Sequence, residues 1–149
     1  MMKKLIALAA LSFAVTGAAH AQTPSQKLVG GTWVCVALND GMQVITKQSY
    51  AANGGSEITV MVFGKTEGVD VRISANGFGK WSFTGDQLDE ELSVMTATFA
   101  EIGGDPALDI AQEMLDSTMV DVLLSNVATF TGPTLRLVDG DNVVTDCVR

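Results

Sequence analysis

The sequence predicts a mainly β fold, an antiparallel barrel or sandwich that carries one amphipathic helix. The first observation is a series of short alternating or apolar runs from Gly31 onward, separated by glycine-containing turns. The second is a segment near residues 105–124, whose apolar side chains recur at helical spacing. The third is a pair of cysteines, Cys35 and Cys147, at opposite ends of the predicted strands.

The first 21 residues have the pattern of a cleavable signal peptide. Lys3 and Lys4 form a positive start, the apolar core over 5–15 is too short to span a bilayer, and Ala19-His20-Ala21 favours a cut after Ala21. We therefore expect a periplasmic or secreted protein, with no membrane insertion of the mature chain. The predicted organisation is a signal peptide at 1–21, a short polar lead-in at 22–27 and one β domain at 28–149.

The stretch VGGTWVC predicts the first strand and the closure of the sheet. Trp33 and Cys35 are two residues apart, so both side chains point to the same side of a strand. Exported proteins keep disulfides, and Cys147 is the only other cysteine. A Cys35–Cys147 bond would join the first predicted strand to the last, as a closing barrel requires. We therefore predict a single antiparallel up-and-down β-barrel.

Alternation predicts further strands in the middle of the chain. In VDVRISA (69–75) every second residue is apolar and the residues between them are polar. The run EITVMVF (57–63) is apolar on both faces, which predicts a covered strand. In GFGKWSFTG, Trp81 and Phe83 share one face, and in LSVMTATFAE, Met95 and Phe99 do the same. We expect these four side chains, Trp81, Phe83, Met95 and Phe99, to face inward, as the plug of a solid barrel or the wall of a ligand cavity.

The acidic run DQLDEEL, which contains Asp86, Asp89, Glu90 and Glu91, allows two interpretations. A pair of carboxylates at a suitable distance performs glycoside hydrolysis. Consecutive acidic residues are far more often a solvated loop. We therefore predict that this run is exposed.

Asp105 followed by Pro106 predicts a helix start, because aspartate accepts from free amides and proline needs no hydrogen bond there. From Leu108 to Val122 the apolar residues recur at helical spacing, with acidic residues opposite. We expect one amphipathic helix near 105–124, which covers the outside of the barrel or one of its ends.

The chain resembles the lipocalin-like, or calycin, barrels, in particular small exported bacterial ones. The resemblance rests on Gly31-Thr32-Trp33, on GFGKWSFTGDQL in mid-chain, and on LRLVDGD leading to CVR. In calycins a basic residue from a late strand packs across the first-strand tryptophan. The resemblance thus implies a barrel-closing motif of Gly31, Trp33 and Arg149, with Arg136 as the alternative basic residue. Lipocalins place their helix after eight strands, whereas the predicted helix here precedes three.

The composition excludes several kinds of chemistry. The chain has 17 acidic and 9 basic residues and a net charge of −8, so nucleic acid is a poor partner. Its one histidine, His20, lies in the predicted signal peptide. A mature chain without histidine or free thiol lacks the usual catalytic nucleophile pairs and metal ligands. We therefore expect no enzyme activity, no metal and no cofactor.

Two functions remain as expectations from the sequence. The first is a carrier, a barrel whose interior binds a small apolar or amphipathic molecule. The second is a protein-interaction module, such as an inhibitor of an exported hydrolase, because such inhibitors also use small disulfide-tied barrels. The sequence therefore allows either a small hydrophobic ligand or a protein partner, and we slightly favour the ligand.

Overall fold

The computed structural model describes residues 21–39 and 41–149. The predicted signal peptide lies outside this part of the chain, except for Ala21. The two helices of the described residues are α1 (Pro24–Leu28) and α2 (Leu108–Thr118). The strands are β1 (Thr32–Asn39), β2 (Met42–Tyr50), β3 (Gly55–Thr66), β4 (Val69–Thr84), β5 (Gln87–Ile102), β6 (Asp105–Pro106), β7 (Leu123–Thr131), β8 (Thr134–Val138) and β9 (Val144–Val148).

Eight of these strands form a closed, lipocalin-like up-and-down barrel, as predicted. Strands that follow one another in the chain pair antiparallel, and β5 pairs with β7 because β6 and α2 are inserted between them. The ring closes where β1 pairs with β9, over the short register from Val34 to Val36. Strand β6 has two residues and pairs only with the end of β5. The predicted fold class is therefore confirmed.

The predicted disulfide lies at this closure. Cys35 of β1 and Cys147 of β9 are register partners, and their sulfur atoms are bonded. The bond links residues 112 positions apart in the chain. It therefore holds the first strand against the last at the shortest ladder that closes the ring.

Strand β5 carries two β-bulges, at Ser93 and at Thr98, where one residue has no partner in β4. Each bulge shifts the alternation of side chains by one residue. The inward face of β5 therefore passes from even to odd numbers after Ser93 and returns to even numbers after Thr98. Met95 is buried, as predicted, but Phe99 is 47% exposed. The prediction that Phe99 faces inward is wrong, because the bulge at Thr98 turns this ring outward.

Helix α2 is shorter than the predicted segment at 105–124. Asp105–Pro106 forms β6, the return strand of a hairpin with the end of β5, so this pairing overrides the local helix-start signal. The helix follows Ala107, which has no side chain that can cap it. The predicted C-terminal end is also wrong, because Leu123 already begins β7.

Gln112 of α2 takes the place of a neighbouring strand along β5. Strand β7 pairs only with the first five residues of β5, 87–91, so the edge beyond them needs other partners. The Gln112 side chain accepts from the Ala97 N–H at 2.8 Å and donates to the Met95 carbonyl at 2.8 Å. A side-chain amide thereby satisfies both kinds of backbone group and ties α2 to the barrel.

Helix α1 occupies most of the segment predicted as a polar lead-in. The Thr23 hydroxyl accepts from the Gln26 N–H, and the Gln26 side chain accepts from the Thr23 N–H, which together make a capping box. Leu28 at the end of α1 is fully buried. Its carbonyl accepts a hydrogen bond from the Trp33 indole N–H at 2.9 Å. The helix therefore closes one end of the barrel.

The interior is divided into two apolar clusters. We call them the closed-end cluster and the helix-end cluster. The closed-end cluster consists of Leu28, Trp33, Cys35, Tyr50, Leu88, Ala128, Leu135, Leu137 and Cys147, with Trp81, Phe83 and Phe130 packed against it. The helix-end cluster consists of Ile58, Val60, Ala75, Leu92, Met95, Ala97, Ala100, Ala107, Ala111 and Leu115.

Candidate functional site

A polar layer, formed by Gln48, Tyr50 and Glu90, lies inside the barrel between the two clusters. Glu90 is on the inward face of β5, between Leu88 of the closed-end cluster and Leu92 of the helix-end cluster. Gln48 and Tyr50 alternate on the inward face of β2. All three side chains of the polar layer are buried, and Glu90 is only 6% exposed. The barrel thus contains a carboxyl group in its core.

Two hydrogen bonds hold the carboxyl group of Glu90. The Tyr50 hydroxyl donates to Glu90 Oε1 at 2.9 Å, and Gln48 Nε2 donates to the same oxygen. Strands β2 and β5 are not neighbours in the ring, so these bonds cross the lumen. Both hydrogen bonds end on Oε1 and orient the carboxyl group. The other oxygen, Oε2, accepts neither of them.

Burial controls the electrostatics of the polar layer. Burial raises the pKa of Glu90, and the hydrogen bonds from Tyr50 and Gln48 offset only part of that rise. Burial also raises the pKa of Tyr50 well above its ordinary value, and the charge of Glu90 raises it further. Tyr50 is therefore a neutral hydrogen-bond donor at physiological pH. Ionisation of Glu90 therefore costs free energy of desolvation, which these two hydrogen bonds offset only in part.

We expect this cost to appear as a pH dependence of stability. Between the ordinary carboxyl pKa of 4.5 and the raised pKa of Glu90 in the folded protein, the folded state holds a proton that the unfolded chain has lost, so stability falls as pH rises through this range. Glu90→Gln should abolish this fall and be more stable than the wild type at pH 7, because the buried side chain no longer ionises. Urea denaturation followed by circular dichroism between pH 4 and 8 measures both curves.

The matched control is Glu91→Gln, because Glu91 is the exposed neighbour on the same strand. It should keep the wild-type pH profile. Parallel profiles for Glu90→Gln and the wild type would contradict the assignment of this pH dependence to Glu90.

Ser56 adds a free hydroxyl beside the polar layer. It is the register partner of Tyr50 across the β2–β3 ladder, and it is 6% exposed. Its Oγ is buried and has no hydrogen-bond partner within the described residues. Buried hydroxyls nearly always have a partner, so this one is available to a water molecule or to a ligand.

Solvent reaches the lumen on one side, which we call the open side. Toward the helix end, most inward-facing side chains of β4 and β5 are buried, whereas those of β1, β2, β7 and β9 are exposed or half-buried. Leu124 is 41% exposed and is the register partner of Glu90, so the open side extends to the polar layer. The open side consists of Ala37, Val44, Thr46, Leu124, Asn126 and Thr145.

The barrel-closing motif implied by the resemblance comes together at the closed end. The Arg149 guanidinium lies 4.8 Å from the centre of the Trp33 ring and donates to the carbonyls of Lys27 and Val29. A Cβ on Gly31 would lie 2.5 Å from Arg149 Cδ, so glycine leaves the room that this arginine needs. Arg136 instead pairs with Asp146 on the outside.

The four predicted cavity residues do not line one cavity. Trp81 and Phe83 are half-buried against the closed-end cluster, where the Trp81 ring meets the Tyr50 ring edge-on at 5.7 Å. Met95 belongs to the helix-end cluster, and Phe99 lies on the outer face. Trp81 therefore remains close to the polar layer through Tyr50, while Met95 and Phe99 do not share its surroundings.

The prediction of an exposed acidic loop is wrong for Glu90. The run lies mostly within β5, where Asp89 points outward and accepts hydrogen bonds from Ser125 and Gln87. Glu90 points inward because it shares the face of Leu88 and Leu92. The leucines two positions before and after Glu90 were the sequence signal for an inward-facing side chain. The prediction missed it because four acidic residues in a short run are more typical of a solvated segment.

Residues 21–39 and 41–149 contain no group of three or more histidine, cysteine, aspartate or glutamate side chains that could hold a metal ion. Neither described helix is long and apolar enough to cross a membrane. A scan against protein-family models finds no match, and a search of curated proteins finds no relative. A function must therefore be argued from the site itself.

Proposed function

We propose that the protein is an exported carrier of the lipocalin-like family, and that its lumen binds a small amphipathic molecule. The observation that carries this proposal is the open side, where inward-facing apolar side chains lead to a buried polar layer. Apolar walls with a few convergent polar groups are the usual composition of a small-molecule site. Binding needs no catalytic residue, in accord with a chain whose mature part lacks histidine.

The disulfide supports the proposed location. Cys35 and Cys147 are bonded, and structural disulfides persist in oxidising compartments such as the periplasm. The positive start, apolar core and small residues before Gln22 give the chain the features of an exported precursor. We propose that the mature carrier acts in the periplasm or outside the cell.

Titration with N-phenyl-1-naphthylamine, a neutral apolar dye, tests the carrier function. We expect a saturable rise in dye emission at about one dye per chain. Energy transfer from Trp81 should be visible in a Trp33→Phe background, because Trp81 contacts Tyr50 of the polar layer. Native mass spectrometry of gently purified protein should reveal any co-purified molecule.

Asn126→Phe is the blocking variant, because Asn126 is inward-facing and half-buried on the open side. Thr129→Phe is its matched control, since Thr129 is exposed on the outside of the same strand. The blocking variant should weaken dye binding at least tenfold, and the control should not change it. Absence of saturable binding in the wild type, or equal binding by both variants, would overturn the carrier function.

A second candidate function, the interaction module, is favoured by an apolar band on the outer face. Val36, Ile45 and Met61 are consecutive register partners on β1, β2 and β3. Phe63 and Phe99 continue the band and are 39% and 47% exposed. If the protein inhibits an exported hydrolase through this band, the double variant Phe63→Ser, Phe99→Ser should abolish inhibition and leave dye binding unchanged. Asn126→Phe should weaken dye binding and leave inhibition unchanged.

A further inference from the structure

The carboxyl group of Glu90 has no cationic partner in the described part of the chain. The ion pairs there are Lys65–Asp70 and Arg136–Asp146, and both are exposed. The partners of Glu90 are the neutral side chains of Tyr50 and Gln48. Buried carboxylates are rarely left without a positive charge, because the charged form loses its hydration. The barrel therefore holds a buried carboxyl group whose ionised form has no counter-ion among the described residues.

The polar layer also leaves acceptors free for a ligand. Tyr50 and Gln48 both donate to Oε1 of Glu90, so Oε2 accepts neither of these two hydrogen bonds. The Ser56 hydroxyl, which lies beside Tyr50, has no hydrogen-bond partner in the part of the chain that the structure describes. A group with several N–H donors would complement this arrangement, and an ammonium group carries three donors and no acceptor.

The structure assigns the polar layer as a subsite for the ammonium group of a small amphipathic amine, with Glu90 as its counter-ion. This assignment rests on the proposed carrier function of the lumen. A positive charge compensates the buried carboxylate, which a neutral alcohol cannot do. An anionic head would meet the like charge of Glu90 within a chain of net charge −8. The apolar part of the amine would lie along Leu124 and Val44 on the open side.

Three probes with the same eight-carbon chain test this assignment: octylammonium, 1-octanol and octanoate. Isothermal titration calorimetry on the mature protein at pH 7.5 should show that octylammonium binds at least tenfold more tightly than 1-octanol. Octanoate should bind most weakly. In Glu90→Gln the affinity for octylammonium should fall at least tenfold, while that for 1-octanol stays the same. Glu91→Gln, with its exposed side chain, should behave as the wild type does.

Ser56→Ala provides a second, independent variant. Its hydroxyl has no partner among the described residues, so the substitution should not lower the free energy of unfolding. It should weaken octylammonium binding by a few-fold and not alter 1-octanol binding. This result would support the subsite even if Glu90→Gln did not fold.

The outcomes separate the two proposals. Equal affinity for octylammonium and 1-octanol in the wild type would overturn the amine subsite and leave the carrier function in place. Preference for octanoate would overturn it as well. If none of the three probes binds and the dye does not bind, the carrier function fails and the amine subsite fails with it.

Discussion

Loss of the Cys35–Cys147 disulfide should lower the free energy of unfolding by about 4 kcal/mol. The two cysteines are 112 positions apart, so the bond restrains almost the whole unfolded chain of the barrel. Chain-entropy arguments give about 4–5 kcal/mol for a loop of this length, and removal of native disulfides from small exported domains costs about 2–5 kcal/mol. The effect should be large here because β1 and β9 pair only from Val34 to Val36.

Urea denaturation of a Cys35→Ala, Cys147→Ala double variant measures this loss. Alanine keeps the buried positions apolar and leaves no thiol. Dithiothreitol should destabilise the wild type to a similar extent and should not affect the double variant. Hydrogen exchange at Val34 and Val36 should accelerate when the bond is absent, because the seam between first and last strand loses its covalent link. A double variant within 1 kcal/mol of the wild type would contradict this account.

The strands were predictable from the sequence wherever alternation runs without interruption. Strand β4 keeps one phase from Val71 to Phe83, and its inward face follows that phase throughout. Strand β5 does not, because it contains two bulges at Ser93 and Thr98. Neither residue is of a type that marks a bulge, so the sequence pattern carried no signal for the outward turn of Phe99. Bulges depend on the register of the partner strand, which a single sequence does not display.

The error at the start of α2 has a different cause. Asp105–Pro106 is a strong local signal for a helix start, but the preceding Gly103 and Gly104 both adopt positive φ angles and return the chain onto β5. The glycine pair was a hairpin signal that competed with the capping signal. The hairpin forms instead of a helix start because it pairs the last residues of β5 with Asp105–Pro106.

The candidate site was less predictable than the fold, because its residues are far apart in the sequence. Gln48 and Tyr50 meet Glu90 only because closure places β2 across the lumen from β5. Trp33, Cys35 and Cys147 were easier to predict, since scarce residue types near opposite chain ends indicate a shared structural role. A glutamate in an acidic run gives no such indication, even when its alternate neighbours are both leucine.

Trp33→Ala should produce the second large loss of stability, about 3–5 kcal/mol, which is typical for removal of a buried aromatic side chain. Trp33 is 1% exposed, and its indole packs edge-on against Phe130 at 6.0 Å. The ring also supports the Arg149 guanidinium on one face, and its N–H satisfies the Leu28 carbonyl. The substitution therefore removes packing and two polar contacts from the closed end at once.

Trp33→Phe separates these contributions. Phenylalanine retains most of the apolar volume but leaves the buried Leu28 carbonyl without its donor, so we expect a loss of about 1–3 kcal/mol. Urea denaturation followed by far-ultraviolet circular dichroism measures both variants without relying on tryptophan emission. In Trp33→Ala, hydrogen exchange over Pro24–Leu28 should also accelerate, because α1 is held to the barrel through this ring. If Trp33→Ala costs less than 1 kcal/mol, the tryptophan does not close the barrel, and the other members of the closed-end cluster must hold this end together.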